Sequence, residues 1–436
     1  MTVAIEQMEE AQPQRFRRYP VYKVCGVEWL GQVPAHWEVK RLKFVAHTVA
    51  GQSPPSVAVT DGVDGLPFLQ GNAEFGRLNP TPHQVCDSAP KRAETGDILV
   101  SVRAPVGAMN IADQSFGIGR GLCAIQPKEG IKRSFCFYQI MAMRMLLNAV
   151  ATGSTYDAVT ASDVNNLPML LPHSGEQRAI AAFLDRETAK IDGLVARKER
   201  LIELLQEKRT AVITRAVTRG LNPNAAMKDS GVEWLVEIPV HWDTKKVKRL
   251  FGHTKRQGFP DLTVLSVYRE YGVIEKSSRD DNFNRTPEDL EIYQLVKPGD
   301  LVINKMKAWQ GSLGISSLSG ITSPDYVVYS PSHDVNERFL HHFLRCKLLA
   351  SVYLTMSNGI RPSQWRLEPG RFEDLVVFLP PPVEQDQIAA FLDRETAKID
   401  ALIVKIRQAI DHLKEFRSAL ISAAVTGKID VRGDVS

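Results

Sequence analysis

The sequence lacks the motifs of a self-sufficient enzyme. It has no GxxxxGK[ST] phosphate loop, which excludes a P-loop motor, and no HExxH or nucleophile elbow. No Asn/Asp-Pro-Pro-aromatic segment of the amino-methyltransferase type occurs, because Pro54-Pro55 and Pro380-Pro381-Pro382 have other neighbours. Cysteine is scarce: Cys25, Cys86, Cys123, Cys136 and Cys346 are scattered through 436 residues with no CxxC pair. That spacing argues against a metal site and fits free thiols in a reducing, cytoplasmic setting. No apolar run approaches the ~20 residues of a membrane span. The opening Met1–Arg18 lacks an apolar signal core and reads as a flexible arm. Charge of one sign is not in excess either. A count of 54 Lys and Arg against 50 Asp and Glu permits an acidic partner without requiring one.

Two weak catalytic signals dissolve on inspection. Glu38-Val39-Lys40 has the ExK spacing of some nucleases, but no aspartate precedes it, so it reads as surface charge. Gly117-Ile118-Gly119-Arg120-Gly121 precedes a strand rather than a helix and reads as a turn, not a dinucleotide loop.

What the chain does contain is itself, twice. Ile180–Asp192 reads IAAFLDRETAKID, and the same thirteen residues return 208 positions later as Ile388–Asp400. Upstream, GVEWL at Gly26–Leu30 leads to Val33-Pro34-Ala35-His36-Trp37, and GVEWL at Gly231–Leu235 leads to Ile238-Pro239-Val240-His241-Trp242. The paired His and Trp sit in matching apolar lead-in segments and read as core. Between the matched segments the punctuation survives while the rest diverges, as in Gly96-Asp97 against Gly299-Asp300.

The stretches 176–219 and 384–425 are nearly free of Gly and Pro and are predicted to be long helices of about 44 residues, or roughly 66 Å. Alternating steps of four and three place a coiled-coil seam at Ile180, Leu184, Ile191, Leu194, Leu201, Leu205 and Val212. The second copy gives Ile388, Leu392, Ile399, Leu402, Ile406, Leu413, Phe416 and Leu420. A lone helix of this kind cannot bury its seam, and its own copy is the best partner. Two copies in one chain favour a pseudo-twofold axis and hence antiparallel helices. A plain hairpin joining two unrelated domains is the alternative.

The domains before each helix read as mixed α/β with short strands at Ile98–Val102, Leu122–Gln126, Leu262–Tyr268, Asp300–Asn304 and Tyr326–Ser330. Single helices are predicted to start near Ser134 and near Asn336. The fold class is thus α/β (mixed α+β), two globular domains in tandem, each followed by a long helix. The boundaries are residues 1–18, 19–172, 173–221, 222–382, 383–427 and 428–436.

This layout resembles the specificity subunits of type I restriction–modification enzymes, with two target recognition domains and two helical repeats. The specific matches are WLxxxPxHW at Trp29–Trp37 and Trp234–Trp242, and LPxxxEQxxIAxFL at Leu171–Leu184 and Leu379–Leu392. The resemblance implies a non-catalytic DNA-reading subunit in which each domain reads half of a bipartite, non-palindromic site. The helices would set the spacing and dock two modification (methyltransferase) subunits, with restriction (motor–nuclease) subunits as further partners. S-adenosylmethionine, ATP and Mg would belong to those partners, none to this chain. A scaffold binding proteins instead of DNA, and a fused restriction–modification enzyme, are the competing readings.

Major-groove readout uses Arg, Lys, Asn, Gln and short polar side chains. Candidates in the first domain are Gln70, Asn72, Arg77, Arg103, Arg120, Thr155 and Tyr156. In the second they are Tyr268, Arg269, Asn304, Lys305, Lys307, Trp309, Gln310, Arg361, Gln364 and Arg366. The loops after the two Gly-Asp strands are favoured, because Arg103 and Lys305 fall there where the copies diverge.

Overall fold

A computed structural model describes residues 16–433 apart from 28, 63, 151–157, 280–285, 288 and 360–364; the side chains of 149 and 150 are also left aside. The flexible arm expected at the start lies largely outside the described residues. Two compact units emerge, Met1–Arg197 with Gln408–Ser436, and Lys198–Arg407. Each holds one globular domain, the first part of the long helix that follows it, and the last part of the other long helix.

The same framework is built in both. The first unit has an antiparallel sheet in the order Ala46–Ala50, Leu122–Pro127, Ile98–Ser101, Met109–Ile111. The second repeats that order with Phe251–Thr254, Tyr326–Pro331, Leu301–Asn304 and Leu313–Ile315. A ribbon of Glu38–Arg41 on Pro168–Leu171, and its copy Asp243–Lys246 on Val376–Leu379, joins each lead-in segment to the strand before each helix. Divergence is concentrated in the remaining strands. The first unit adds a five-stranded sheet, and the second adds three separate pairs, Leu265–Tyr268 with Gly272–Glu275, Gln294–Val296 with Gly320–Thr322, and Ser357–Asn358 with Arg366–Leu367.

The Gly-Asp punctuation has a local cause. Gly96 and Gly299 adopt φ +89° and +88°, a region that disfavours side chains. The aspartate that follows closes the turn: Asp97 accepts from the Glu94 N–H and Asp300 from the Lys297 N–H, both at 2.7 Å.

The long helices are Ser174–Arg219 and Pro382–Val425. In each unit the start of one packs beside the end of the other, which makes the pairing antiparallel. Ile180, Leu184 and Ile191 share a core with Leu420, Ile421 and Ala424. Ile388 and Leu392 share one with Ala216 and Val217. Among the described residues no helix is long and apolar enough to cross a membrane.

The seam register differs from the sequence expectation. Ile180, Leu184, Ile191, Ile388, Leu392, Ile399, Ile406 and Leu420 are buried, and Leu205, Val212, Leu413 and Phe416 are half-buried. Leu194, Leu201 and Leu402 are instead 41%, 43% and 44% exposed. The observed inward stripe runs 180, 184, 188, 191, 195, 198, 202, 205, 209, 212, 216, with its copy 208 residues on. Two successive steps of four at its start shift the phase. Thr188 and Thr396 occupy the shifted positions, their hydroxyls donating to the carbonyls of Leu184 (2.6 Å) and Leu392 (2.7 Å). Polar residues on the stripe, including Lys198, Arg209 and Arg417, explain why counting apolar residues slid the register onto exposed leucines.

Both helices expected inside the domains are broken in two. Arg133–Ala142 is followed by Arg144–Val150, and Glu337–Leu344 by Lys347–Thr355. The second break falls at Arg345, whose guanidinium donates to the carbonyls of Leu313 (2.8 Å) and Arg269 (2.7 Å).

Candidate nucleic-acid interface

Each unit places a loop after its Gly-Asp strand against the segment that closes the domain. In the second unit, strand Leu301–Asn304 ends on Asn304, whose side-chain oxygen accepts from the Met306 N–H (3.1 Å). The chain then makes one 3-10 turn, Ala308–Gln310, so that the Trp309 indole N–H donates to the Met306 carbonyl (3.1 Å). Across from it, Ser357–Asn358 pairs with Arg366–Leu367, and the Leu367 N–H donates to the Lys305 carbonyl (3.0 Å). Trp309 and Trp365 meet edge to face at 5.5 Å, and the Arg366 Nε lies 3.1 Å from the Met306 sulfur. Lys307, Gln310 and Arg366 are exposed on this lobe, while Lys305, Trp309 and Trp365 are half-buried. Five of the predicted second-domain residues are therefore gathered in one place, with Asn304 as the buried root. Tyr268 and Arg269 belong to a neighbouring turn that Arg345 ties to Leu313. Arg361 and Gln364 lie outside the described residues.

The first unit builds its lobe differently. Strand Ile98–Ser101 runs into Arg103, which bridges to Ala158, and the Val159 N–H donates to the Val102 carbonyl (2.9 Å). The Ser101 hydroxyl reaches the carbonyls of Arg103 and Pro105, holding this turn. Gly121 joins it to a second loop: its carbonyl accepts from Val102 (2.9 Å) and its N–H donates to Gln70 (3.2 Å). Ser53 Oγ accepts from the Gln70 side chain (2.7 Å) and from the Arg120 N–H (3.4 Å). Gln70, Arg103 and Arg120, all exposed, thus converge. Asn72 is half-buried, and Arg77 points to the first long helix, 3.2 Å from Asp192. Thr155 and Tyr156 lie outside the described residues. Sequence reasoning missed Trp365, whose edge-to-face contact with Trp309 depends on the pairing of Ser357–Asn358 with Arg366–Leu367.

The lead-in His–Trp pairs serve the core. Trp37 and Trp242 are fully buried, and their indole N–H groups donate to Glu176 and Glu384, both at 3.2 Å. His36 and His241 hold the same carboxylates at 2.9 and 2.7 Å. Glu38 pairs with its neighbour Lys40 (2.7 Å) on the surface. Burial pushes the Cys123 and Cys136 thiols up to about 12 and Cys346 up to about 11, which leaves them protonated and unreactive. Among the described residues no three His, Cys, Asp or Glu side chains assemble as metal ligands.

A family model, the Type I restriction modification DNA specificity domain, matches residues 34–204. A Methanocaldococcus jannaschii protein described as the MjaX type I restriction enzyme specificity subunit is 35% identical over 192 residues, 43% of this chain. The chain spans less than half, 44%, of that relative's length. The EcoDI specificity subunit of Escherichia coli matches along 92% of this chain and 90% of its own, at 20% identity. A chain solved in work on complex assembly and conformational transition of the type I restriction–modification system shares the fold. Its TM-score is 0.67 at 17% identity, over 90% of this chain and 98% of that one. Across residues 34–204 the sequence is thus similar to type I restriction–modification specificity domains, and the fold is similar along most of the chain.

Proposed function

We propose that this chain is the DNA-reading subunit of a type I restriction–modification complex and performs no chemistry itself. Residues 19–172 and 222–382 each read one half of a bipartite, non-palindromic site. The helical segments 173–221 and 383–427 set the spacing and dock two copies of a modification subunit, which supplies S-adenosylmethionine and methylates adenine. ATP and Mg enter with restriction subunits, and the complex works in the cytoplasm.

One observation carries this reading. The two copies agree in framework yet diverge in the lobes beyond Ser101 and Asn304, where Arg, Lys, Gln and Trp cluster. A duplicated frame with two different polar lobes suits a target with two different halves. The thirteen identical helix residues suit one partner bound twice. Methylome sequencing of cells expressing the chain with its cognate modification subunit tests it, and one bipartite adenine-methylated motif is expected. Replacing residues 44–166 as a block should change one half of that motif. No motif, or a change in both halves, refutes the reading.

A further inference from the structure

We propose that two basic turns, Arg41 with Lys43 and Lys245–Arg249, are sequence-independent anchors for the phosphate backbone of the duplex that each domain reads. The proposal rests on the DNA-reading function above and adds a second contact surface to each lobe.

The turns occupy the same place in both units. Glu38 lies opposite Leu171 and Asp243 opposite Leu379, so Lys40, Arg41 and Lys43 match Lys245, Lys246 and Lys248. All six are exposed, while Leu42 and Val247 between them are fully buried and fix each turn to its core. In the first unit Arg41 and Lys43 have no carboxylate partner among the described residues. In the second, Lys246 and Lys248 share one exposed carboxylate, Asp374, at 3.0 and 2.8 Å. Lys245 and Arg249 have none among the described residues. Each turn therefore carries unneutralised positive charge.

Each turn is also attached to a lobe. In the first unit the chain passes from the Arg103–Ala158 bridge through the short helix Ala161–Asn165 to Asn166, which accepts from the Arg41 guanidinium (3.1 Å). In the second it passes from Arg366–Leu367, hydrogen-bonded to Lys305, through Pro369–Glu373 to Asp374. Either short helix has five residues, a span of about 7–8 Å at ~1.5 Å per residue. Phosphates recur every ~3.4 Å along a strand, so a duplex seated on a lobe brings its backbone within reach of the turn. Lysines on exposed edge strands also discourage aggregation, but Lys43, Lys248 and Arg249 lie beyond the strands, where there is no edge to protect.

The test uses the full-length chain and its R41Q/K43Q and K245Q/R249Q variants with a random-sequence duplex across a salt series. The slope of log affinity against log salt should fall by about 0.9 per lost contact, up to ~1.8 for each pair. The motif recovered by binding-site selection and the melting temperature should stay unchanged. An unaltered slope overturns the proposal, and increased aggregation alongside it identifies edge protection instead. A changed motif also overturns it, by making the turns readers. If the unsubstituted chain shows no salt-dependent duplex binding, the DNA-reading function itself fails, and the anchors with it.

Discussion

Ile403→Ala and Leu402→Ala, adjacent substitutions in the second long helix, discriminate the observed seam from the one that apolar counting suggests. Ile403 is 6% exposed and Leu402 is 44% exposed. Truncating a buried Ile to Ala costs about 2–5 kcal/mol, through lost transfer energy and the cavity left behind. Leu402 keeps nearly half its surface in water, and helix propensity favours alanine slightly, so its truncation should cost less than about 1 kcal/mol. In a unit of this size each kcal/mol moves the melting temperature by roughly 2–4 °C. A 3 kcal/mol loss at Ile403 therefore lowers it by roughly 6–12 °C, against no more than about 4 °C for Leu402. Circular dichroism melts of both variants, with urea titrations as a check, measure the difference. Equal losses, or a larger one for Leu402→Ala, would place the seam at 402 and refute the stripe through 396, 399, 403 and 406.

Trp37→Phe removes a donor from Glu176, whose side chain is only 5% exposed, and should cost about 1–3 kcal/mol in urea unfolding. Trp242→Phe should cost less, because Glu384 is 20% exposed and water can replace the lost bond. Gly427→Ala should lower the melting temperature, since φ is +74° and an added Cβ would lie 2.3 Å from Pro34 Cδ. Gly193→Ala meets open space inside a helix, where the copy already carries Ala401, and should stabilise by up to about 1 kcal/mol. Burial holds His341 at about 3, below its ordinary 6.5, with its Nδ1 on the Ile315 carbonyl. The unfolded chain thus binds the extra proton first, and stability should fall by up to ~1.4 kcal/mol per pH unit as pH drops below 6.5. His341→Gln should reduce that slope in unfolding measured from pH 7 to 5, the remainder coming from His342, which burial also holds down at about 4.

The repeat made the frame legible before any coordinates. Identical residues at a fixed offset forced two like units, and the Gly-Asp turns marked strand starts within a residue of those observed at Ile98 and Leu301. The helix breaks at Met143 and Arg345 were hidden because nothing local interrupts the apolar pattern; at Arg345, carbonyls from two other segments create the break. At the lobes, Gln70, Arg103 and Arg120 could be chosen by residue type, but their convergence depends on Ser53 and Gly121, which carry no signal of their own. The basic turns escaped notice for an electrostatic reason. Positive and negative residues nearly balance along each domain, and although Lys40–Lys43 and Lys245–Arg249 are basic runs in the sequence, only folding exposes them while acids such as Asp97 and Asp300 are buried.

The polar residues that obscured the seam bear on how it is specified. Asp192 takes Arg417 at 2.9 Å, and Asp400 takes Arg209 at 3.0 Å. The four are two copies of one Asp and one Arg, 208 residues apart, and each bonded pair of residue numbers sums to 609. A constant sum is the signature of antiparallel pairing, in which advancing along one helix means retreating along the other. Parallel pairing of the copies would set Asp192 opposite Asp400 and Arg209 opposite Arg417. Each ion pair is partly exposed and contributes about 0–1 kcal/mol. The larger effect lies in the difference between arrangements, because the parallel alternative replaces two attractions with two repulsions. An apolar seam identical in both copies could not make that distinction, since Ile on Ile packs in either direction. Arg and Asp at matched positions, at a small cost in burial, favour the antiparallel direction over the parallel one.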